Sequence, residues 1–251
     1  MNSIIKHFLY DAKKFLFVKH RYKSVVILLL LVGYYFCLPK SLFNNPTSSV
    51  IESREGILLG AKIANDEQWR FPANDSVPYK FKQCIIQFED GYFYHHPGFN
   101  PVSIAKAFVA NIKSGKVVRG ASTLTQQVIR LSREGKKRTY FEKLIELVQA
   151  TRLELRDTKD EILTMYLNRF DWVNNAVGIK SAAQIYFNKK PINLDLSEAA
   201  MLVGMLKNPA LYNPNRRLEL TQKRRDVVLY QMKKLLIHLV MLSMINLRHL
   251  Q

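Results

Sequence analysis

From residue 100 onward the chain is punctuated by helix-start signals, and no other feature limits its fold so strongly. Asn100 followed by Pro101 is an N-cap and a first-turn proline. The apolar residues behind them, Ile104, Ala105, Phe108, Val109 and Ile112, recur at the helical period until Gly115 ends it. Ser122 is positioned to cap a second helix carrying Leu124, Val128 and Leu131. A third is predicted over 140–156, with Leu144, Ile145, Val148 and Leu155 on one face. Thr158 with Glu161 is a capping box opening "KDEILTMYLN", and Asp195 with Glu198 opens a segment that ends at Asn208-Pro209. Upstream, residues 50–71 read as two short strands around a turn at Arg54-Glu55-Gly56. There is no internal repeat and no low-complexity tract. The expected fold class is mainly α.

The 251 residues suffice for one domain with appendages. A formal charge of +18 calls for an anionic partner: nucleic acid, a membrane surface or a phosphorylated substrate. Cys37 and Cys84 supply neither a disulfide framework nor metal spacing, and read as buried thiols. From Ser24 to Pro39 the chain runs "SVVILLLLVGYYFCLP" without a charge. That is short of the ~20 residues of a usual span, but Lys23 and Lys40 flank it and Tyr34 and Tyr35 suit an interface. The rival readings are a cleaved signal peptide, for which Cys-Leu-Pro-Lys is a poor cleavage site, and a buried core helix. Residues 1–23 carry six Lys or Arg against Asp11 alone, which leaves the N-terminus in the cytoplasm and the chain beyond residue 40 outside. This topology argues against nucleic acid and for an anionic lipid surface or a pyrophosphate-bearing substrate. The expected organisation is a basic cytoplasmic segment at 1–23, a transmembrane signal anchor at 24–39, a linker with short strands at 40–84, a helical domain at 85–232 and an unassigned tail at 233–251.

Two stretches carry most of the polar chemistry. In "QFEDGYFYHHPGFNP", Glu89 and Asp90 precede an aromatic cluster, and His95 and His96 follow it. A carboxylate beside apolar rings is desolvated, its pKa rises, and it can exchange a proton near neutrality. A solvated polar turn is the competing reading. In "RGASTLTQQVIR", Arg119, Ser122, Thr123, Thr125, Gln126, Gln127 and Arg130 crowd around one helix start, where free N–H groups, hydroxyls and arginines can cradle phosphate. An ordinary capped surface helix competes with that. Lys143, Glu142 and Glu146 could be no more than a solvent face of charge pairs. Ser103-Ile-Ala-Lys106 and Lys113-Ser114-Gly115 imitate serine acyl-enzyme motifs, but they lie on one predicted helix and are read as coincidence.

Taken in order, these stretches resemble glycosyltransferase family 51, the peptidoglycan glycosyltransferase domain of class A penicillin-binding proteins. Glu89-Asp90-x-x-Phe93-x-x-His96-x-Gly98 resembles the first family motif, and Gly120-Ala121-Ser122-Thr123-x-Thr125-Gln126-Gln127 the second. Lys143-x-x-Glu146 resembles the end of the third, Lys159-x-Glu161-Ile162-Leu163-x-x-Tyr166-Leu167-Asn168 the fourth, and Arg224-Arg225-x-x-Val228-Leu229 the fifth. Upstream, "LLGAKIANDEQWRF" is similar to the penicillin-binding protein 1C branch. The resemblance implies a lysozyme-like helical domain over 85–232 that polymerises lipid II and releases undecaprenyl pyrophosphate. It implies Glu89 as general base and Glu146 as a second catalytic glutamate on the donor side. It places Asp90, Phe93, His96, Ser122, Thr123, Gln126, Gln127, Arg130, Arg138 and Lys143 on the substrate-binding side, with Arg130 and Arg138 at pyrophosphate-contacting positions. Asp90 and His96 are expected to shape the first motif rather than to ligate metal. No cofactor is obligatory, with Mg or Mn as the only candidate. The implied partners are lipid II, the nascent glycan strand, the membrane and other cell wall synthesis proteins. The implied location is the inner membrane, single-pass, with the catalytic domain periplasmic.

The sequence departs from the family pattern at three places. Ala121 replaces a usual glycine, Glu142 stands where arginine is usual, and Asn100 replaces an aspartate. No transpeptidase domain is expected to follow. The tail from Lys233 is expected to be either an amphipathic membrane helix or the remnant of a truncated longer gene. The competing functions are a lysozyme-like glycan-cleaving enzyme and a catalytically weak, membrane-anchored scaffold.

Overall fold

The computed structural model describes residues 21–248, apart from 56, 74–76, 117, 119 and 138. The chain divides into two units, residues 1–42 and 43–251. The first holds helix α1 (Arg21–Phe36), which carries the uncharged run. Its 16 residues rise about 24 Å, less than the ~30 Å of a bilayer core. Among the described residues no helix is long and apolar enough to cross a membrane. Cys37, just beyond α1, is half-buried rather than buried as expected.

The second unit is mainly helical. It opens with the expected hairpin, β1 (Ser49–Glu52) antiparallel to β2 (Leu58–Lys62). The turn closes where Ser53 N–H donates to Ile57 O, and a bulge lies between Ile51 and Glu52. A pairing that the sequence does not announce follows. β3 (Trp69–Arg70) runs parallel to β4 (Ala176–Val177), and Phe71 N–H donates to the Ser181 hydroxyl at 3.1 Å.

The helices are α2 (Tyr79–Glu89), α3 (Pro101–Ser114), α4 (Leu124–Ser132), α5 (Tyr140–Glu154), α6 (Lys159–Arg169), α7 (Ile179–Phe187), α8 (Leu196–Met205) and α9 (Leu218–Arg248). Their starts follow local chemistry. Asn100 Oδ1 accepts from Ser103 N–H at α3, and reciprocal capping boxes open α6 (Thr158 with Glu161) and α8 (Asp195 with Glu198). At α4 the cap is Thr123, not Ser122, because Gln126 stands three residues after Thr123 and completes the box. Gly115 ends α3 in the left-handed region at φ +63°.

The core lies where α4 packs on α5 and α6, and where α2, α8 and α9 meet. Leu124, Val128, Ile129, Leu153, Ile162, Leu163 and Tyr166 are fully buried in the first layer, and Phe81, Cys84, Ile85, Leu202 and Val203 in the second. Burial pushes the Cys84 thiol up to about 11, which leaves it unreactive. Two predicted apolar faces do not enter this core. On α3 only Ala107 is buried, while Val102, Phe108, Val109 and Ile112 are exposed. On α5 the predicted stripe is displaced: Leu144 and Leu155 are exposed, and Glu146, Gln149, Ala150 and Leu153 point inward.

Candidate active site

Glu89 is the last residue of α2 and is half-buried. Burial raises its carboxyl pKa above the ordinary range. A hydrogen bond from Gln127 and the charges of Arg224 and Lys207 partly offset that, while neighbouring Asp90 adds to it. Gln127 Nε2 donates to Glu89 Oε2 at 3.2 Å. The amide carbonyl of Gln127 accepts from the Tyr166 hydroxyl, also at 3.2 Å. Arg224, on α9, lies over the rings of Phe88 (4.6 Å) and Tyr212 (5.4 Å), and its Nε donates to Gly204 O.

Asp90 faces inward and knots the first motif to the second. Its Oδ2 accepts from Leu124 N–H at 3.0 Å and from His96 Nε2 at 2.9 Å. His96 Nδ1 accepts from Gly98 N–H, so the imidazole carries its proton on Nε2. The Thr123 hydroxyl donates to Gly98 O at 2.7 Å. Gly98 itself sits at φ +90°, where a Cβ would stand 2.8 Å from the Ala150 carbonyl. Only glycine fits that approach of loop to helix. Lys159, which opens α6, donates to His96 O and to Glu154, and its ammonium lies 4.7 Å from the centroid of the Phe93 ring. Phe93 is completely buried and His96 is buried too, and both pack in the segment that follows Glu89.

A second polar cluster forms on α4 and α5. Arg130 grips Glu146 with two parallel bonds, Nε to Oε1 at 2.9 Å and Nη2 to Oε2 at 3.0 Å. Lys143 Nζ reaches Glu146 Oε2 at 2.8 Å, Ser122 Oγ at 3.0 Å and Gln126 Oε1 at 3.1 Å. Arg130 Nη2 also donates to Ser122 Oγ, so the hydroxyl that does not cap α4 serves this cluster instead. Burial would raise the Glu146 carboxyl, but the hydrogen bonds and charges of Arg130 and Lys143 outweigh it and hold the group below the ordinary glutamate range. The inward turn of α5 follows from this pairing, since a buried carboxylate needs both cations. Glu142 does not intrude on the cluster's bonds; it pairs with Arg133 at the end of α4.

A cavity of about 380 Å³ lies beside these groups. Glu89, Asp90, Ser122 and Thr123 line it, with Asn100 and Lys106 from the α3 region and Gln231 from α9. Glu89 and the hydroxyl of the Arg130–Lys143 cluster thus open on one space. Ser103 and Lys106, read as a coincidental motif, are on its wall. Arg138 lies outside the described residues. Among the described residues no group of three or more His, Cys, Asp or Glu side chains is arranged to hold a metal ion.

The profile of one protein family, described as transglycosylase, matches residues 57–233. The chain belongs to the transglycosylase family. Penicillin-binding protein 1A/1B of Bacillus subtilis is 38% identical to this transglycosylase over 198 residues, covering 78% of this chain and 21% of that protein. Penicillin-binding protein 1C of Escherichia coli is 38% identical over 189 residues, covering 75% of this chain and 24% of its own length. The chain therefore spans only about a fifth to a quarter of these relatives. A solved structure of penicillin-binding protein 1A from Haemophilus influenzae aligns at a TM-score of 0.40 and 23% identity over 76% of this chain and 18% of its own, too loose a match to bear on the fold.

Several contacts of the candidate site have no local sequence signal. Tyr166 belongs to the fourth motif, but nothing near it shows that its hydroxyl meets Gln127, 39 positions away. Arg224 is legible only as part of the fifth motif. Gln231 and Lys106 carry no signal for their places on the cavity wall.

Proposed function

We propose that this transglycosylase is a peptidoglycan glycosyltransferase that polymerises lipid II for cell wall synthesis. The observation that carries the reading is the contrast between its two glutamates. Glu89 is desolvated and its pKa is raised, while Glu146 is pinned in the charged form by two cations. Paired groups pushed apart in this way divide the labour of a site. In the proposed step the Glu89 carboxylate takes the proton from the 4-hydroxyl of the acceptor sugar. That oxygen attacks the anomeric carbon of the donor with inversion, and the bond to undecaprenyl pyrophosphate breaks with its electron pair on the leaving oxygen. A raised pKa makes Glu89 a stronger proton acceptor than a solvated carboxylate.

Arg130 and Lys143, with Ser122, form the cationic wall that would receive the pyrophosphate, and the family resemblance extends the same role to Arg138. Glu146 orients those two cations rather than meeting substrate. A carboxylate so neutralised is a poor nucleophile, which disfavours a retaining, covalent glycan-cleaving mechanism. The fold is proposed to be lysozyme-like.

The exposed apolar side chains of α3, interleaved with Lys106 and Lys113, suit an anionic membrane surface. They support the membrane as partner, with residues 24–39 as anchor and the domain on the periplasmic side. The test uses labelled lipid II and purified protein, with products resolved by chain length. Long glycan is expected from the wild type and none from Glu89→Gln at unchanged helical circular dichroism. Chain growth by that variant would remove Glu89 from the reaction.

A further inference from the structure

We propose that Tyr166 is a positioning residue that acts on Glu89 through Gln127, by fixing which way the Gln127 amide faces. The inference rests on the reading of Glu89 as the base. Tyr166 is fully buried on α6, and among the described residues its hydroxyl makes one hydrogen bond, to Gln127 Oε1. Gln127 stands on α4 between α6 and the end of α2. An amide has two faces of opposite character, an oxygen that accepts and an NH₂ that donates. A hydroxyl that donates to the oxygen leaves the NH₂ for the opposite side, and there it meets Glu89 Oε2. Turned over, Gln127 would aim its carbonyl at a carboxylate and repel it. The tyrosine thereby makes the donor orientation the stable one, at no cost in charge.

The consequence is a tuned base. Burial raises the Glu89 pKa, and the amide donor works against that rise while leaving the carboxyl desolvated. The other charged groups that act on Glu89 come from different elements: Asp90 beside it, Lys207 after α8 and Arg224 on α9. Glu89 and Arg130 are in turn the charges that act on Tyr166. None of these moves when the phenol hydroxyl is removed, so the effect of Tyr166→Phe isolates the chain through Gln127.

The experiment compares wild type, Tyr166→Phe, Gln127→Leu and the double variant. The first readout is the titration of the Glu89 carboxyl by ¹³C NMR, assigned by loss of the signal in Glu89→Gln. The second is the pH profile of kcat/KM on lipid II. Losing the amide donor in Gln127→Leu should raise the Glu89 midpoint, and the acid limb with it, by about half to one pH unit, and Tyr166→Phe, which frees the amide to turn, should raise it in the same direction by no more than that. On the acid side of the limb that is a ~3- to 10-fold loss of kcat/KM. The double variant should match Gln127→Leu alone, since Tyr166 has no route to Glu89 once the amide is gone. A Tyr166→Phe protein with a lowered melting temperature but unmoved midpoint would overturn the proposal and leave Tyr166 a packing residue. Additive shifts in the double variant would overturn it too. If Tyr166→Phe does not fold, an unmoved midpoint in Gln127→Leu refutes the proposal equally well. The NMR midpoint is independent of turnover. A shift there with an active Glu89→Gln enzyme would condemn the base assignment and spare the relay.

Discussion

Replacing Arg130 by alanine should separate what the cationic cluster does for stability from what it does for turnover. In the folded chain the guanidinium makes two hydrogen bonds to Glu146, whose side chain is only 5% exposed. Among the described residues, Arg130→Ala leaves that carboxylate buried with Lys143 as the one cation still hydrogen-bonded to it. Charge-assisted bonds of this kind are worth ~1.5–3 kcal/mol. Arg130 is itself 37% exposed, so water screens part of the pair. Lys143 also remains, so the lower end applies, about 2 kcal/mol. For a domain of this size that lowers Tm by ~4–8 °C. Adding Glu146→Gln should recover most of the loss, because no unpaired charge is then buried. It should not recover polymerisation, since the cation facing the pyrophosphate is still missing; at ~1.5 kcal/mol or more the rate falls at least about tenfold. Arg130→Lys keeps the charge but not the fork and should fall between. Calorimetry and single-turnover assays on lipid II measure the two effects. An Arg130→Ala protein melting within ~1 °C of wild type would show that the ion pair contributes nothing, and the account of the inward-turned α5 would fail with it.

Glu89→Gln should be inactive yet more stable than wild type at about pH 8, and no more stable at about pH 4. A carboxyl whose folded pKa is raised contributes stability that is complete below its unfolded pKa and is lost as pH rises through the folded one; the amide has nothing to lose. Equal stabilities at both pH values in urea titrations would contradict the desolvation of Glu89. Glu146 has the opposite sign: its stabilisation is present above the unfolded pKa and disappears as pH falls through the lowered folded value, so Glu146→Gln should flatten the acid limb of thermal stability. Gly98→Ala should cost at least ~2 kcal/mol in urea unfolding, since it combines a left-handed backbone with a Cβ driven into the α5 backbone. An unchanged midpoint would mean the loop does not press on α5 as described.

The chain's own residues, read in order, determine where the helices of the domain begin. Caps and capping boxes act over three residues, so Asn100, Thr158 and Asp195 announce their helices whatever surrounds them. The ordered polar motifs likewise point to the family and to Glu89, because they are strings of residue types that survive without coordinates. Only the tertiary structure decides which face of a helix is buried. Periodicity on α5 selects the leucines, but the pairing of Glu146 with Arg130, 16 residues away, turns a polar face inward. Periodicity on α3 is real, yet among the described residues no other element covers its apolar side chains, and a stripe cannot state its own partner. Ser122, beside the Thr123 cap of α4, is bonded by cations from two helices, Arg130 and Lys143, which no local pattern shows. The chain from Tyr166 through Gln127 to Glu89 joins three helices across separations of 39 and 38 residues. Hydrogen bonds of that range depend on packing geometry, which local sequence does not encode.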